Sequence, residues 1–310
     1  MDVITTRGLT KFYGKTRGVE SLSMSVPAGS VYGFLGPNGA GKTTTIRCLL
    51  GMLKPTAGEA EVLGEHVSLD GAALRRRIGY VAGEVNLYER QTGRWHLDYV
   101  AGFRGGRGVL EAELLERFDF DPGRKVKELS KGNKQKLALI LGMAHDPELL
   151  ILDEPTSGLD PLNQEAVYAV IDERVAAGRT VFLSSHVLSE VERVCSRVGI
   201  IRSGRLVAEE DVRSLLGKRL RDLTVTFARP VGPTLLDDVT GVDSVMVLGE
   251  TQLTARVKGD AIDAVIKRLA SVEISDLRIS HASLEDVFLE FYRHTDADDA
   301  PRAVAGGGEA

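Results

Sequence analysis

Eight consecutive residues, Gly36, Pro37, Asn38, Gly39, Ala40, Gly41, Lys42 and Thr43, restrict the fold of this chain more than any other stretch. A run so poor in side-chain bulk adds little to a core, but its backbone N–H groups can turn inward around an anion. It follows the apolar Val31-Tyr-Gly-Phe-Leu35 and leads into residues 43–53, where Ile46, Leu49, Leu50 and Leu53 recur at helical spacing. Strand, loop and helix form the setting in which glycine, four residues, Gly-Lys-Thr cradles phosphate. The helix N-terminus adds a favourable dipole, Lys42 a positive charge and Thr43 a hydroxyl for magnesium.

Two further apolar runs, residues 149–152 and 180–183, have the length of buried strands, and each passes through a polar loop into a helical pattern. That alternation predicts an α/β fold with a parallel sheet and crossover helices. Alternating strands are expected at residues 4–9 and 22–26, and a mostly helical section at residues 92–145, broken at Gly105-Gly106 and Asp121-Pro122-Gly123. Beyond about Arg219 the pattern changes. Strands at 223–227, 244–248, 252–257 and 274–280, with helices at 260–270 and 283–292, describe a small α+β unit, of which a ferredoxin-like arrangement is one form. A boundary is expected near Lys218, dividing residues 1–218 from 219–294. Residues 295–310 have almost nothing to bury and are expected to form a disordered tail.

A chain of 310 residues with 43% hydrophobic side chains supports one large and one small core. Its net charge of -5 and pI near 5.8 disfavour nucleic acid as a partner, since that affinity comes from clustered Lys and Arg. The basic clusters at residues 75–77 and 131–136 are short and read equally well as solvated helix faces. Cys48 and Cys195 lie in apolar-periodic stretches, as reduced thiols of a cytosolic core would. No apolar run approaches the roughly 20 residues of a membrane-spanning helix, so a membrane role is expected to run through a partner.

The remaining polar signals stand where the sheet pattern ends. Residues 149–152 run into Asp153-Glu154-Pro155, placing two carboxylates at the carboxyl end of a strand, where open α/β sheets bind ligands. Asp153 suits a magnesium shell and Glu154 the orientation of an attacking water; a loop acid pair after a strand is the lesser alternative when the two are taken alone. His186 follows Ser184-Ser185 after the strand at 180–183, within reach of a terminal phosphate. Ser130-Lys-Gly-Asn133 precedes a helical run, so Ser130 reads either as a simple N-cap or as part of an anion site.

In this order the residues resemble the nucleotide-binding subunit of ATP-binding-cassette (ABC) transporters, over roughly residues 3–215. Residues 36–43 look like the family's Walker A, 149–154 its Walker B, 129–133 its signature, 157–160 its D-loop and His186 its switch histidine. The resemblance implies a P-loop NTPase cassette, with a RecA-like core, an antiparallel β subdomain and a helical subdomain. ATP and Mg2+ are the implied ligands. Catalysis falls to Lys42, Glu154 and His186, metal binding to Thr43 and Asp153, and nucleotide contacts to Tyr13, residues 36–43 and Thr44. Two cassettes close head to tail in this family, so Ser130 and Gly132 would act on a second subunit's nucleotide, and Asp160 of the D-loop is a further implied nucleotide contact. A membrane permease, docked at the cytoplasmic face, is the other implied partner.

Two departures stand out. Lys131 and Asn133 occupy signature positions where the family has glycine and glutamine, and Gly83 stands where it usually has a magnesium-touching glutamine; Glu84 or a water is expected to take part of that role. The ending Ser283-Leu-Glu-Asp-Val-Phe-Leu289 is similar to one in bacterial drug and antibiotic exporters of the daunorubicin-resistance type. Trp95 and Tyr99, at helical spacing, are placed either in the core or against the permease. A regulatory module that binds ATP with little hydrolysis is the alternative to an energy-transducing ATPase.

Overall fold

Alternation of side chains, shifted by one residue between Thr6 and Leu9, makes β1 (Asp2–Tyr13) and β2 (Thr16–Pro27) amphipathic: Ile4, Thr6 and Leu9 point inward from the first, Leu22, Met24 and Val26 from the second. In the computed structural model, which describes residues 1–212, 214 and 221–280, both run longer than their sequence pattern. They pair antiparallel, with β4 (Ala57–Val62) on the far side of β1 and β5 (Glu65–His66) at the edge.

The second sheet takes its strands from distant parts of the chain. β3 (Val31–Leu35), β6 (Ile78–Val81), β7 (Leu149–Asp153), β8 (Thr180–Ser185), β9 (Arg197–Arg202) and β10 (Arg205–Asp211) lie in the order β10-β9-β3-β8-β7-β6. All pairings are parallel except that of β9 with β10. β3, β7 and β8 are buried at every residue, which is why they read as unbroken apolar runs. Between the sheets lies α1 (Lys42–Leu49), whose Ile46, Cys48 and Leu49 share one core with Leu22 and Val26 of the first sheet and Phe34, Ile151 and Phe182 of the second. Phe182 stacks on Tyr32 at 5.7 Å. The helix is shorter than the expected 43–53, because Gly51 turns out of it at φ 63°.

Register sets the functional edge. Leu35 is paired with Ser185, and Ser184 with Asp153, so β3, β8 and β7 end level with one another. The loops carrying Gly36, His186 and Glu154 therefore emerge side by side.

A short α2 (Ala72–Arg76) precedes β6, and three helices then form the section expected at 92–145: α3 (Gly93–Arg104), α4 (Glu111–Arg117) and α5 (Lys131–Met143). Thr92 caps α3 by accepting the Trp95 N–H, and Gly105 ends it in the left-handed region. The helix α5 crosses β6 with no room to spare: a Cβ on Gly142 would stand 2.7 Å from a Val81 methyl. Two more helices, α6 (Pro161–Ala176) and α7 (Leu188–Val194), follow β7 and β8. Cys48 and Cys195 are buried free thiols.

The chain divides into two compact units, Met1–Val212 and Arg213–Ala310; the boundary expected near Lys218 falls on residues outside those described. The second unit is a four-stranded antiparallel sheet in the order β12-β13-β11-β14, with β11 (Arg221–Phe227), β12 (Val242–Leu248), β13 (Gln252–Val257) and β14 (Ile274–Ser280). A 3-10 turn and α8 (Ile262–Leu269) occupy the place of the expected helix at 260–270, and Val265 and Leu269 pack on Leu223, Val225 and Leu253. The connection β13–α8–β14 straddles β11, the split β-α-β device of ferredoxin-like units. Between β11 and β12, turns with the buried Leu236 replace a first helix. The expected helix at 283–292 and the tail at 295–310 lie outside the described residues.

Candidate nucleotide site

The loop between β3 and α1 closes on itself. Gly36 N–H donates to the Ser185 carbonyl at 3.2 Å and Ala40 N–H to Pro37 at 3.2 Å. Glycine is required at two points: a Cβ at Gly36 would lie 2.4 Å from the Ile201 carbonyl oxygen, and Gly41 has φ 112°. Lys42 is buried, and its Nζ donates to the Gly36 carbonyl at 2.6 Å and to Pro37 at 3.2 Å. The same ammonium stands 3.4 Å from Glu154 Oε1.

Glu154 reaches that place through an uncommon backbone. Its φ is 50°, in the left-handed region that residues with a Cβ adopt at a cost. The turn lets its N–H donate to the Ser184 carbonyl at 3.0 Å while the carboxylate swings toward the loop. His186 Nδ1 lies 3.0 Å from the same Oε1. One carboxylate oxygen thus sits between a lysine and a histidine, each delivered by a different strand.

Asp153 is almost wholly buried, and the Thr43 hydroxyl donates to its Oδ2 at 2.8 Å while Ser184 donates to Oδ1. Thr43 and Asp153 are hard oxygen donors converging beside the phosphate loop, the donor set that Mg2+ takes when substrate phosphates and water complete its shell. Among the described residues no group of three or more His, Cys, Asp or Glu could hold a metal by itself, so an all-protein cage is not what this site offers.

A cleft of about 280 Å3 opens beside the loop, lined by Tyr13, Thr16, Arg17, Gly18, residues 37–39 and 41–44, and Glu154. Tyr13 is half exposed at its mouth, with its hydroxyl 3.5 Å from that of Thr44 and the Lys11 ammonium 5.6 Å from its ring centroid. The expected residues Tyr13, Gly36 to Thr44, Asp153, Glu154 and His186 therefore come together.

Ser130, Gly132 and Asp160 do not line this cleft. They form a second group around the N-terminus of α5. Ser130 accepts the Asn133 N–H at 3.2 Å, a Cβ on Gly132 would meet the Gly158 carbonyl oxygen at 3.0 Å, and Gln135 Nε2 donates to the Pro155 carbonyl at 2.8 Å. The aliphatic stem of Lys131 lies over Gly158. Asp160 caps α6, and the Asn163 backbone N–H, with the Asn163 amide, holds its carboxyl below the usual range.

Gly83 follows β6 directly beside Asp153. A Cβ there would lie 3.5 Å from Oδ2, ordinary contact, and Gly83 does not adopt a left-handed φ. Glu84 is exposed and makes no hydrogen bond or ion pair among the described residues. The sequence pattern did not reveal Ser184 as a partner of Asp153 or Glu190 as a buried neighbour of Ser185, although hydroxyls closing an apolar strand were a usable signal.

Known proteins place this geometry. The model of the family described as ABC transporter matches residues 19–157. The daunorubicin resistance ATP-binding protein DrrA3 of Streptomyces coeruleorubidus is 35% identical over 311 residues, covering 96% of each chain. The bacitracin transport ATP-binding protein BcrA of Bacillus licheniformis is 40% identical over 214 residues, covering 67% of this chain and 69% of its own. A solved ATP binding subunit of an ABC transporter superposes with a TM-score of 0.64 at 29% identity, covering 69% of this chain and 91% of that one. With likeness to an ATP-binding subunit along nearly its whole length, and the loop, carboxylates and sheet order that such a subunit needs, this chain belongs to the ATP-binding subunits of the ABC transporter family.

Proposed function

We propose that the chain hydrolyses ATP and that the work is delivered to a separate membrane permease. The observation that carries this reading is the position of Glu154, 3.4 Å from Lys42 and 3.0 Å from His186 at the end of the phosphate loop. In this reading Glu154 orients a water for attack on the terminal phosphorus; a P–O bond to that water forms as the bond to the ADP oxygen breaks, and the departing proton passes to the carboxylate or the phosphate. Lys42 and the inward N–H groups of residues 36–43 hold the charge on the phosphoryl oxygens, His186 supports the terminal phosphate, and Tyr13 stacks on adenine. Thr43 and Asp153 would hold Mg2+, which supplies charge neutralisation between the phosphates.

Ser130, Gly132 and Asp160 stand outside the lining of the cleft that holds the phosphate loop, which supports a head-to-tail pair of chains sharing two nucleotides. Permease docking is supported by an aromatic ladder. Tyr88 is 61% exposed, Tyr99 46% and Phe103 63%; half-buried Trp95 stacks on Tyr99 at 4.8 Å, and Tyr99 meets Phe103 at 5.0 Å. We place Trp95 at this docking face, half-buried on α3 with its ring stacked on the exposed Tyr99. Such docking puts the chain on the cytoplasmic face of the membrane, and no helix among the described residues is long and apolar enough to cross it. The cargo we propose is a drug, antibiotic or other hydrophobic compound moving outward, supported by the daunorubicin and bacitracin relatives. We assign residues 219–294 to an accessory domain of that system.

Gly83 favours a second reading, a nucleotide-gated module with little hydrolysis, because Asp153 lacks the neighbouring glutamine side chain. One experiment separates them: Glu154→Gln should bind ATP and lose steady Mg2+-dependent turnover. Equal turnover in wild type and variant would overturn the hydrolytic assignment.

A further inference from the structure

Glu190, on α7, is 3% exposed, and among the described residues it makes no ion pair. A buried carboxylate without a cation is costly unless hydrogen bonds satisfy it. Here two hydroxyls do so: Thr156 donates to Oε1 at 2.9 Å and Ser185 to Oε2 at 2.5 Å. The Ser185 hydroxyl also accepts the Val187 N–H at 2.9 Å, and its carbonyl accepts Gly36 N–H at 3.2 Å.

The two donors flank the reacting groups. Thr156 stands two residues after Glu154, in a turn tightened by Ser157 N–H to the Glu154 carbonyl at 3.2 Å. Ser185 immediately precedes His186. The buried carboxylate therefore clamps the roots of both side chains whose tips meet at 3.0 Å. An apolar residue could not do this, because both buried hydroxyls need a polar partner.

We propose that Glu190 is a positioning residue: it sets the separation of Glu154 and His186 by holding Thr156 and Ser185 from within the core. This rests on the hydrolytic reading above. Burial favours a neutral acid at this position, and the two hydroxyl donors oppose that tendency by stabilising the carboxylate.

The test uses the full chain and two readouts. Glu190→Ala should lower kcat for Mg2+-ATP by roughly tenfold to a hundredfold, with the KM changed about twofold or less, because a small misplacement at the reacting centre costs rate more than binding. Glu190→Gln, which keeps one acceptor and offers a donor to the other hydroxyl, should recover most of that loss. Thr156→Val, nearly isosteric, checks the same link without emptying the core. The nitrogen-15 signal of His186 Nδ1, recorded without ATP, should move in Glu190→Ala and Thr156→Val as its contact with Glu154 loosens. An unmoved signal in both variants overturns the inference, as does unchanged kcat in both. The imidazole signal requires no turnover, so a chain that failed to hydrolyse ATP would sink the hydrolytic reading while this placement was still decided.

Discussion

At Lys42, three oxygen contacts surround a single ammonium, and all three belong to the edge where ligand enters rather than to the apolar core. Lys42→Ala should therefore lower ATP affinity by about 1.5–3 kcal/mol, the range for losing a charge-assisted contact to phosphate, while leaving the thermal midpoint nearly unchanged. Equilibrium binding of a fluorescent ATP analogue and a melting curve check the two halves separately. His145 behaves differently, since its environment acts on stability. Burial, with the Arg104 guanidinium beside it, pushes the imidazole down from 6.5 to about 4. The unfolded chain thus binds a proton at a pH where the folded chain refuses it. The contribution to stability is complete above about pH 6.5, declines as pH falls toward 4, and amounts to on the order of 3 kcal/mol. Chemical denaturation across that window should show the slope in the wild type, and His145→Gln should flatten it.

Among the helices, two glycines in similar sequence settings call for opposite outcomes. Gly142 lets α5 lie on β6, where an added Cβ would be 2.7 Å from Val81 and 3.1 Å from the Tyr80 carbonyl oxygen. Gly142→Ala should cost about 1–3 kcal/mol, as overpacking does. Gly102, inside α3, has nothing within 4 Å of the same added atom and does not take a left-handed φ. Gly102→Ala should stabilise by about 0.5–1 kcal/mol through lost unfolded-state freedom and better helix propensity. Urea midpoints with unchanged slopes would verify both signs. The sequence showed that residues 92–145 would be helical, because caps and apolar spacing are local. It showed nothing of the close crossing at Gly142, because the partner strand lies some 60 residues earlier in the chain.

For the molecule as a whole, the division between a cleft holding Tyr13, Lys42, Thr43 and Glu154 and a separate group at Ser130, Gly132 and Asp160 argues for assembly on nucleotide. Glu154→Gln with Mg2+-ATP should shift from one chain to two in light scattering, and adding Ser130→Phe should return it to one chain while the single-chain ATP affinity changes little. A dimer that persists with Ser130→Phe would place the contact elsewhere. Much of this was legible beforehand. The phosphate loop, Asp153-Glu154 and His186 are each local words, readable because a strand, a tight turn and a helix start leave short-range traces in composition. The strand limits of the second unit were nearly readable for the same reason, although the turn-rich segment that replaces a helix before β12 was not. Sequence alone thus determined which residues could bind phosphate and which stretches would be buried strands, since backbone sterics and hydrophobic periodicity act within a few residues. Only the tertiary structure decided that β3, β8 and β7 end level, that Glu154 turns through a left-handed φ to stand between Lys42 and His186, and that Glu190 anchors both loops from below. Those outcomes follow from pairing strands far apart in the chain, Leu149 with Thr180 and Val31 with Val181, and no local pattern encodes that register.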